Sequence, residues 1–382
     1  MNTPSMSTVR KIHLSIPEQE LDDLRRRLDN TRWPESETVT DWSQGVPLAR
    51  MRALVAYWAS AYDWRRCEAM LNRFGLYATQ IDGLLIHFLH VRSEQAQALP
   101  LLLTHGWPGS IIEFHKVIEP LVSGANGQIA FHLVVPCLPG YGFSQQPARP
   151  GWSVERIAQA WITLMGRLGY ERYVAQGGDW GAAVTIAMGK LAPAGLVGIH
   201  LNMPLVIPRT SERGEPNTEE QAALRALELY NRDEAAYASV QATRPQTLGY
   251  ALVDSPVGQA AWIYEKFYRW SDCNGDPDSL FSRDALLDNI MLYWLTGTGG
   301  SSARLYWESF RKAFAPTVLE LPVGCSIFPK EIIPASRRWA DKFYHNIIHW
   351  NHLDRGGHFA AFEQPTLFVQ ELRNCFSRLT GA

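Results

Sequence analysis

The stretch YVAQGGDWGAAV, residues 173–184, decides the fold of this 382-residue chain. Residues 173–176 form a short, mostly apolar run that suits a buried strand, and residues 182–191 have the composition of a helix. Two glycines precede Asp179 and a third follows Trp180, so the carboxylate lies in a glycine-rich turn. We therefore predict a strand, a tight turn that carries Asp179, and a helix.

The segment from Gly177 to Gly181 has the spacing of a nucleophile elbow, in which glycines allow a sharp strand-to-helix turn and the middle side chain projects from the sheet. An aspartate that merely caps the helix is the alternative. Because the reference pKa of aspartate is about 3.9, Asp179 is ionised at pH 7 and can attack carbon without a base. Attack on an alkyl carbon would leave an ester, and a histidine base would then be needed to activate water.

The candidate base is His358, which follows two glycines after the strand-like run NIIHWNHL. Chains with this elbow carry their residues in the order nucleophile, acid, histidine, which places the acid between residues 179 and 358. Glu331 follows the strand-like run PVGCSIFP and is the preferred acid. Asp354 competes with it, but Asp354 belongs to the same strand or loop as His358 and is expected to face solvent.

The loop HGWPG, residues 105–109, follows the strand-like run PLLLT. In this arrangement the loop supplies one main-chain N–H to an oxyanion hole, and the residue after the nucleophile supplies the other. We therefore predict the N–H groups of Trp107 and Trp180 as the two donors. A plain Gly/Pro turn is the alternative for the loop.

The composition excludes several classes of protein. Hydrophobic residues make up 46% of the chain, enough for a large core, and Lys plus Arg total 36 against 38 for Asp plus Glu. This balance leaves no excess of positive charge that would attract nucleic acid or anionic lipid. The five cysteines form no CxxC pair, which argues against a disulfide framework or a zinc cluster. Residues 1–20 resemble neither a signal peptide nor a membrane span, so we expect a cytoplasmic protein without a membrane anchor.

The order of patterns along the chain predicts an α/β fold. PLLLTHG and FHLVVPCLPG are strand-like, whereas IIEFHKVIEPLV and SVERIAQAWITLMGRLGY are helix-like, and this alternation favours a mostly parallel central sheet. The first helix is predicted to start with Ser15 and Glu18 as a capping box, and GGSS at 299–302 is predicted as a flexible turn. The predicted regions are an N-terminal helical extension (1–95), the first part of the core (96–206), a helical lid (207–314) and the C-terminal part of the core (315–382).

These residues together resemble the epoxide hydrolases of the α/β-hydrolase fold, in particular the microsomal and fungal branch with a long N-terminal extension. Eight motifs in order carry the resemblance: RWP near 33, HGWPGS at 105, PGYGFS at 139, GGDWG at 177, DSPVG at 254, MLYWLTGT at 291, FPKEI at 328 and GGHFAAFEQP at 356. The resemblance implies that Asp179 is the nucleophile, that His358 is the base for water, and that Glu331 orients the imidazole. Animal members carry an N-terminal membrane helix that this sequence lacks, so the chain looks like a soluble relative.

The resemblance also points to two lid tyrosines, Tyr237 and Tyr306. Opening an epoxide produces an alkoxide, and a phenol with a reference pKa of about 10 stays protonated at neutral pH and can donate to it. Tyr293 is a third candidate, which we interpret as lid core. The implied partners are a small hydrophobic epoxide and water, with no metal, cofactor or nucleic acid, and a homodimer is expected only by analogy.

Three other functions compete with this interpretation. A haloalkane dehalogenase shares the aspartate nucleophile and the DWG tripeptide, but it would need halide-binding donors in place of the phenols. A serine esterase is disfavoured because the sequence contains no G-x-S-x-G elbow. A non-catalytic protein that binds hydrophobic ligands could also keep the fold.

Overall fold

A computed structural model describes residues 8–124 and 128–379 of the chain. Within these ranges nine strands form one sheet: β1 (Arg10–Ile12), β2 (Leu76–Ile81), β3 (Leu84–Val91), β4 (Leu99–Thr104), β5 (Phe131–Pro136), β6 (Tyr173–Gly177), β7 (Leu196–Leu201), β8 (Val323–Ile327) and β9 (Ile347–His352). The strands lie in the order β1-β2-β3-β5-β4-β6-β7-β8-β9. The pairs β1-β2, β2-β3 and β3-β5 are antiparallel, and every pair from β5 onward in this order is parallel. This arrangement confirms the predicted α/β architecture.

Helices surround the sheet: α1 (Glu18–Asp29), α2 (Leu48–Ser60), α3 (Trp64–Phe74), α4 (Ile118–Ser123), α5 (Val154–Arg167), α6 (Asp179–Leu191), α7 (Thr218–Leu229), α8 (Ala236–Thr243), α9 (Pro245–Asp254), α10 (Pro256–Trp270), α11 (Pro277–Leu280), α12 (Arg283–Leu295), α13 (Gly299–Ala313), α14 (Arg337–Ala340), α15 (Ala360–Glu363) and α16 (Pro365–Phe376). Short 3₁₀ turns cover Ile111–Phe114, Thr210–Glu212 and Ser377–Leu379, and a π-helical turn covers Tyr230–Glu234. No helix of the described ranges is long and apolar enough to cross a membrane.

The inner parallel strands are buried on both faces, which explains their nearly continuous apolar sequences. All five residues of β6 are buried, and so are all five of β8. The predicted strands in 99–104, 131–136, 173–176 and at PVGCSIFP are confirmed. Parallel strands bring their carboxyl ends to one edge of the sheet, so the loops after β4, β6 and β8 meet there.

Between β7 and β8 the described chain forms helices joined by turns and loops, with an isolated β-bridge at Leu319 just before β8, and we call α7–α13 the helical insertion. The predicted lid, residues 207–314, contains all of these helices. That this range covers the site, and that it forms a region separate from the core, remain predictions. Helices α8 and α13 pack against each other and α9 packs against both, so the insertion has its own helix contacts.

Two local predictions are wrong. The capping box at Ser15 and Glu18 is absent: α1 begins after Pro17 with no side-chain cap, and the carboxylate of Glu18 pairs instead with two arginines, Arg25 and Arg65. GGSS at 299–302 forms the first turn of α13 rather than a flexible turn, and its two serines are buried. Glycine permits such a turn to pack closely against neighbouring helices, which a sequence signal for loops does not distinguish.

Candidate active site

The elbow at Asp179 depends on close backbone packing. Asp179 is the first residue of α6 and has a φ of 51°, which is uncommon for a residue other than glycine. A Cβ atom at Gly181 would lie 1.9 Å from the main-chain oxygen of Thr104, and one at Gly177 would lie 2.1 Å from the oxygen of Gly181. The glycines therefore let β6 and α6 meet tightly, and the turn presents the carboxylate at the sheet edge.

The Asp179 carboxylate is held by two partners. The main-chain N–H of Trp107 donates to Oδ1 at 2.8 Å, and Nε2 of His358 lies 3.3 Å from Oδ2. A Cβ atom at Gly106 would fall 2.1 Å from Oδ1, so this position also requires glycine. The loop after β4 thus wraps around one oxygen while the imidazole faces the other. Trp180, the second predicted donor, directly follows Asp179 and is fully buried.

His358 lies between two carboxylates. Its Nδ1 is 2.6 Å from Oε1 of Glu331, and both side chains are 2% exposed. Burial acts to lower the pKa of His358, but the charges and hydrogen bonds of Glu331 and Asp179 outweigh it and raise the pKa well above its ordinary value. Asp354 is exposed, whereas Glu331 also accepts a hydrogen bond from the N–H of Ile332. Of the two candidate acids, Glu331 is therefore the one that contacts the imidazole.

A buried glutamate that sequence reasoning missed fixes the histidine loop. Glu363 accepts hydrogen bonds from the main-chain N–H groups of Gly357, Phe359 and Asp272 at 2.8 to 2.9 Å. Burial raises the pKa of Glu363 to about 7. The signal was present in the motif GGHFAAFEQP, where a glutamate follows the histidine by five residues within an otherwise apolar run.

The two predicted phenols come from the helical insertion and pack against Trp107. The ring of Tyr237 (α8) stacks on Trp107 with centroids 4.9 Å apart, and Tyr306 (α13) meets the same indole edge-on at 5.9 Å. Both tyrosines are buried. Burial, aided by the charge of Asp179, raises the pKa of each phenol well above its ordinary value, so both stay protonated at neutral pH.

Tyr230 is a third phenol at this site that the sequence did not reveal. Its hydroxyl lies 3.0 Å from that of Tyr237, and burial raises its pKa to about 12. Tyr230 opens the π-helical turn Tyr230–Glu234, a rare geometry that often marks functional sites. Tyr293 behaves differently, because its hydroxyl donates to the main-chain oxygen of Gly109 at 2.6 Å. Tyr293 therefore supports the 105–109 loop, as expected of a core residue.

Two cavities meet at Asp179. The large cavity has a volume of about 350 Å³ and is lined by the three phenols and by apolar side chains that include Val206, Leu227 and Phe310. The small cavity has a volume of about 20 Å³ and is lined by His358 and by residues of the sheet edge. Among their lining residues the two cavities share Asp179. In the described ranges no group of three or more His, Cys, Asp or Glu side chains could hold a metal ion.

Comparisons with family models and relatives agree with one another. A model described as "Epoxide hydrolase N terminus" matches residues 9–114, and one described as "alpha/beta hydrolase fold" matches residues 100–249. A protein of Stigmatella aurantiaca (strain DW4/3-1), provisionally named an epoxide hydrolase, is 58% identical over 96% of this chain and 84% of its own length. Epoxide hydrolase 1 of Sus scrofa is 34% identical over 96% of this chain and 88% of its own length.

A solved structure extends this similarity to three dimensions. The Aspergillus niger epoxide hydrolase superimposes with a TM-score of 0.87 at 31% identity, covering 97% of this chain and 96% of that one. The shared region therefore includes the sheet, the helical insertion and the described N-terminal helices.

Proposed function

This chain belongs to the epoxide hydrolase family of the α/β-hydrolase fold, and we propose that it converts its epoxide to a vicinal diol through an ester on Asp179. One arrangement carries the proposal: the Asp179 carboxylate has the imidazole of His358 3.3 Å away and lines a cavity together with the phenols Tyr237 and Tyr306. Family membership decides against the dehalogenase and ligand-binding alternatives.

In the first step one oxygen of Asp179 attacks a ring carbon of the epoxide. The ring C–O bond breaks and its electron pair goes to the epoxide oxygen, so an ester and an alkoxide form together. Tyr237 and Tyr306 donate hydrogen bonds to that oxygen, and one of them transfers its proton. Their raised pKa values support this role, because phenols that are protonated at rest can act as donors.

Ester formation changes the charge around His358. In the free protein the carboxylates of Asp179 and Glu331 raise the pKa of His358. The ester removes the negative charge at Asp179, so the pKa of His358 falls in the ester state. A larger fraction of the imidazole is consequently neutral and able to accept a proton when water has to be activated, while Glu331 keeps the ring oriented through Nδ1.

In the second step His358 takes a proton from water, and the water oxygen attacks Cγ of the ester. The N–H groups of Trp107 and Trp180 stabilise the oxyanion that develops; the first of them already contacts Oδ1 at 2.8 Å. The bond between Cγ and the Asp179 oxygen that carries the substrate carbon then breaks. That oxygen leaves with the diol and takes the proton from the imidazolium. The proton left on Asp179 replaces the one that the phenol lost, so the cycle adds one water to the epoxide.

In this proposal the helical insertion is the lid of the site, because it supplies both phenols and many walls of the large cavity. The apolar lining suits a small hydrophobic epoxide, since pockets for such ligands combine apolar walls with a few polar groups. The cytoplasmic location and the homodimer stay predictions.

A single turnover in ¹⁸O-labelled water tests the ester. With enzyme in excess over styrene oxide, the first diol should contain unlabelled oxygen from Asp179, and the label should appear in the peptide that carries this residue. Label in the first diol, with none in the protein, would show direct attack by water and exclude the ester.

A further inference from the structure

The mechanism leaves one acidic side chain at the site without a role. Glu113 lies in the 3₁₀ turn Ile111–Phe114, after the loop 105–109, and lines the small cavity together with Asp179 and His358. Its Oε1 occupies the space beside Gly109, where a Cβ atom would be only 1.3 Å away. A glycine at 109 is therefore needed to admit this carboxyl group to the sheet edge.

The small cavity has the size and polarity of a site for one water molecule. About 10 to 15 Å³ suffices for a water that has two to four polar partners, and this cavity measures about 20 Å³. Besides Glu113, the lining includes the amide of Gln176, which donates to Asn202. Oε1 of Gln176 is buried and has no hydrogen-bond partner within the described ranges. An unpaired buried acceptor is costly, and in the free protein, where the raised pKa of His358 keeps the imidazole protonated, a water in this cavity can donate to Oε1 of Gln176. After the ester forms and the imidazole becomes neutral, the same O–H can turn to His358.

The carboxyl group of Glu113 is surrounded by the charges of the site. Burial raises the pKa of Glu113 to about 8, with His358 opposing the shift and the carboxylates of Asp179 and Glu363 adding to it. A hydrogen bond from the main-chain N–H of Ser110 also lowers the pKa of Glu113, as the charge of His358 does. At pH 7 Glu113 is therefore mainly a neutral acid with a carbonyl oxygen that can accept a hydrogen bond.

We propose that Glu113 is a positioning residue that holds the hydrolytic water in the small cavity, between Cγ of the Asp179 ester and Nε2 of His358. The inference rests on the proposed ester mechanism and adds the site of its second reactant. The water donates one O–H to His358 and the other to the carbonyl oxygen of Glu113, which leaves a lone pair directed at Cγ. Glu113 itself transfers no proton.

This role predicts a specific dependence on pH. Ionised Glu113 would place a negative charge next to the developing oxyanion and oppose the attack of water. Ester hydrolysis should therefore decline as the pH rises through the pKa of Glu113. Ester formation removes the charge of Asp179, which raises the pKa of Glu113, and also the charge of His358, which lowers it. The two changes oppose each other, so the decline is expected near the value of about 8 in the free protein.

Two variants test the proposal with styrene oxide as the probe. Glu113→Leu removes the acceptor and should slow ester hydrolysis by about 10- to 100-fold while ring opening stays nearly unchanged. Glu113→Gln keeps a carbonyl oxygen at the same position, so it should retain near wild-type hydrolysis at pH 7 and lose the alkaline decline. Rapid quenching followed by intact-protein mass spectrometry gives both rates, and Glu113→Leu should accumulate the ester.

The outcomes separate this inference from the mechanism on which it rests. Equal slowing of both steps in Glu113→Leu, or unchanged hydrolysis, would overturn the role of Glu113 while the ester mechanism survives. If Glu113→Leu does not fold, the pH profile of Glu113→Gln decides, and an alkaline decline that persists in it rejects the proposal. Absence of any ester on Asp179, including in a His358→Gln variant, would instead reject the ester mechanism itself.

Discussion

The two cavities at Asp179 differ in size, lining and origin along the chain. The large cavity, of about 350 Å³, takes the phenols Tyr230, Tyr237 and Tyr306 from the helical insertion and is otherwise mostly apolar. The small cavity, of about 20 Å³, takes His358 and Glu113 from the loops of the sheet edge and is rich in polar groups. A single carboxylate therefore faces two different environments.

The difference matches two steps that need opposite surroundings. Ring opening develops negative charge on the epoxide oxygen, which neutral donors stabilise best where bulk water is excluded. Ester hydrolysis needs a water molecule and a base. The proton donors for the epoxide oxygen line the large cavity, and the base for water lines the small one. Changes in the small cavity should therefore stall the second step, and changes in the large cavity should slow the first.

The largest effect is expected from removing the base of the small cavity. His358→Gln should lower steady-state turnover by on the order of 10⁴-fold, because water loses its general base. Ring opening should continue, so intact-mass spectrometry should show the protein heavier by the mass of one substrate, with the addition mapped to Asp179.

The double variant Asp179→Ala, His358→Gln is the matched control and should gain no mass. A His358→Gln variant that stays unmodified and turns over at the wild-type rate would show that His358 is not the base. It would thereby contradict the assignment of the two steps to separate cavities.

A smaller effect is expected from the large cavity. Replacing Tyr237 and Tyr306 together by Phe should slow ring opening by about 10²- to 10⁴-fold, since the alkoxide loses its proton donors. In a His358→Gln background the rate of mass gain reports ring opening alone, which isolates this step.

The control for this change is Tyr173→Phe. Tyr173 is a buried phenol on β6 with no hydrogen-bond partner for its hydroxyl in the described ranges, and it lines neither cavity. The control should leave both steps unchanged. Equal slowing of ring opening and ester breakdown in the double Phe variant would count against the alkoxide role.

The sequence predicts the contacts of the small cavity better than those of the large one. Asp179, Glu331 and His358 each follow a strand, and parallel strands end at the same sheet edge, so local patterns and chain order indicate that the three side chains meet. In the structure Nε2 of His358 lies 3.3 Å from Oδ2 of Asp179, and Nδ1 of His358 lies 2.6 Å from Oε1 of Glu331. Glu113 is not apparent from the sequence because the pattern of residues 111–122 predicts one helix, whereas the structure has a 3₁₀ turn before α4.

The large cavity depends on which helix faces point inward, and one sequence does not determine this. The amphipathic pattern of α8 is weak because its apolar and small residues lie on all sides, so only the resemblance indicated Tyr237. Tyr230 lies in a π-helical turn, and helical periodicity does not predict such turns.

The smallest effect is expected at Tyr230, and it sharpens the comparison within the large cavity. The hydrogen bond between the hydroxyls of Tyr230 and Tyr237 spans 3.0 Å and orients a donor without contacting the alkoxide in our mechanism. Such a bond contributes about 1 kcal/mol, so Tyr230→Phe should slow ring opening by about fivefold and leave ester hydrolysis unchanged. The rate of mass gain in the His358→Gln background measures the first step, and single-turnover decay of the ester measures the second. A loss comparable to that of the double Phe variant would place Tyr230 among the groups that touch the substrate oxygen, whereas an unchanged rate would make it part of the cavity wall. Since the ring of Tyr237 stacks on Trp107 and Tyr230→Phe leaves that contact in place, the fivefold effect would report the orientation of the Tyr237 hydroxyl alone.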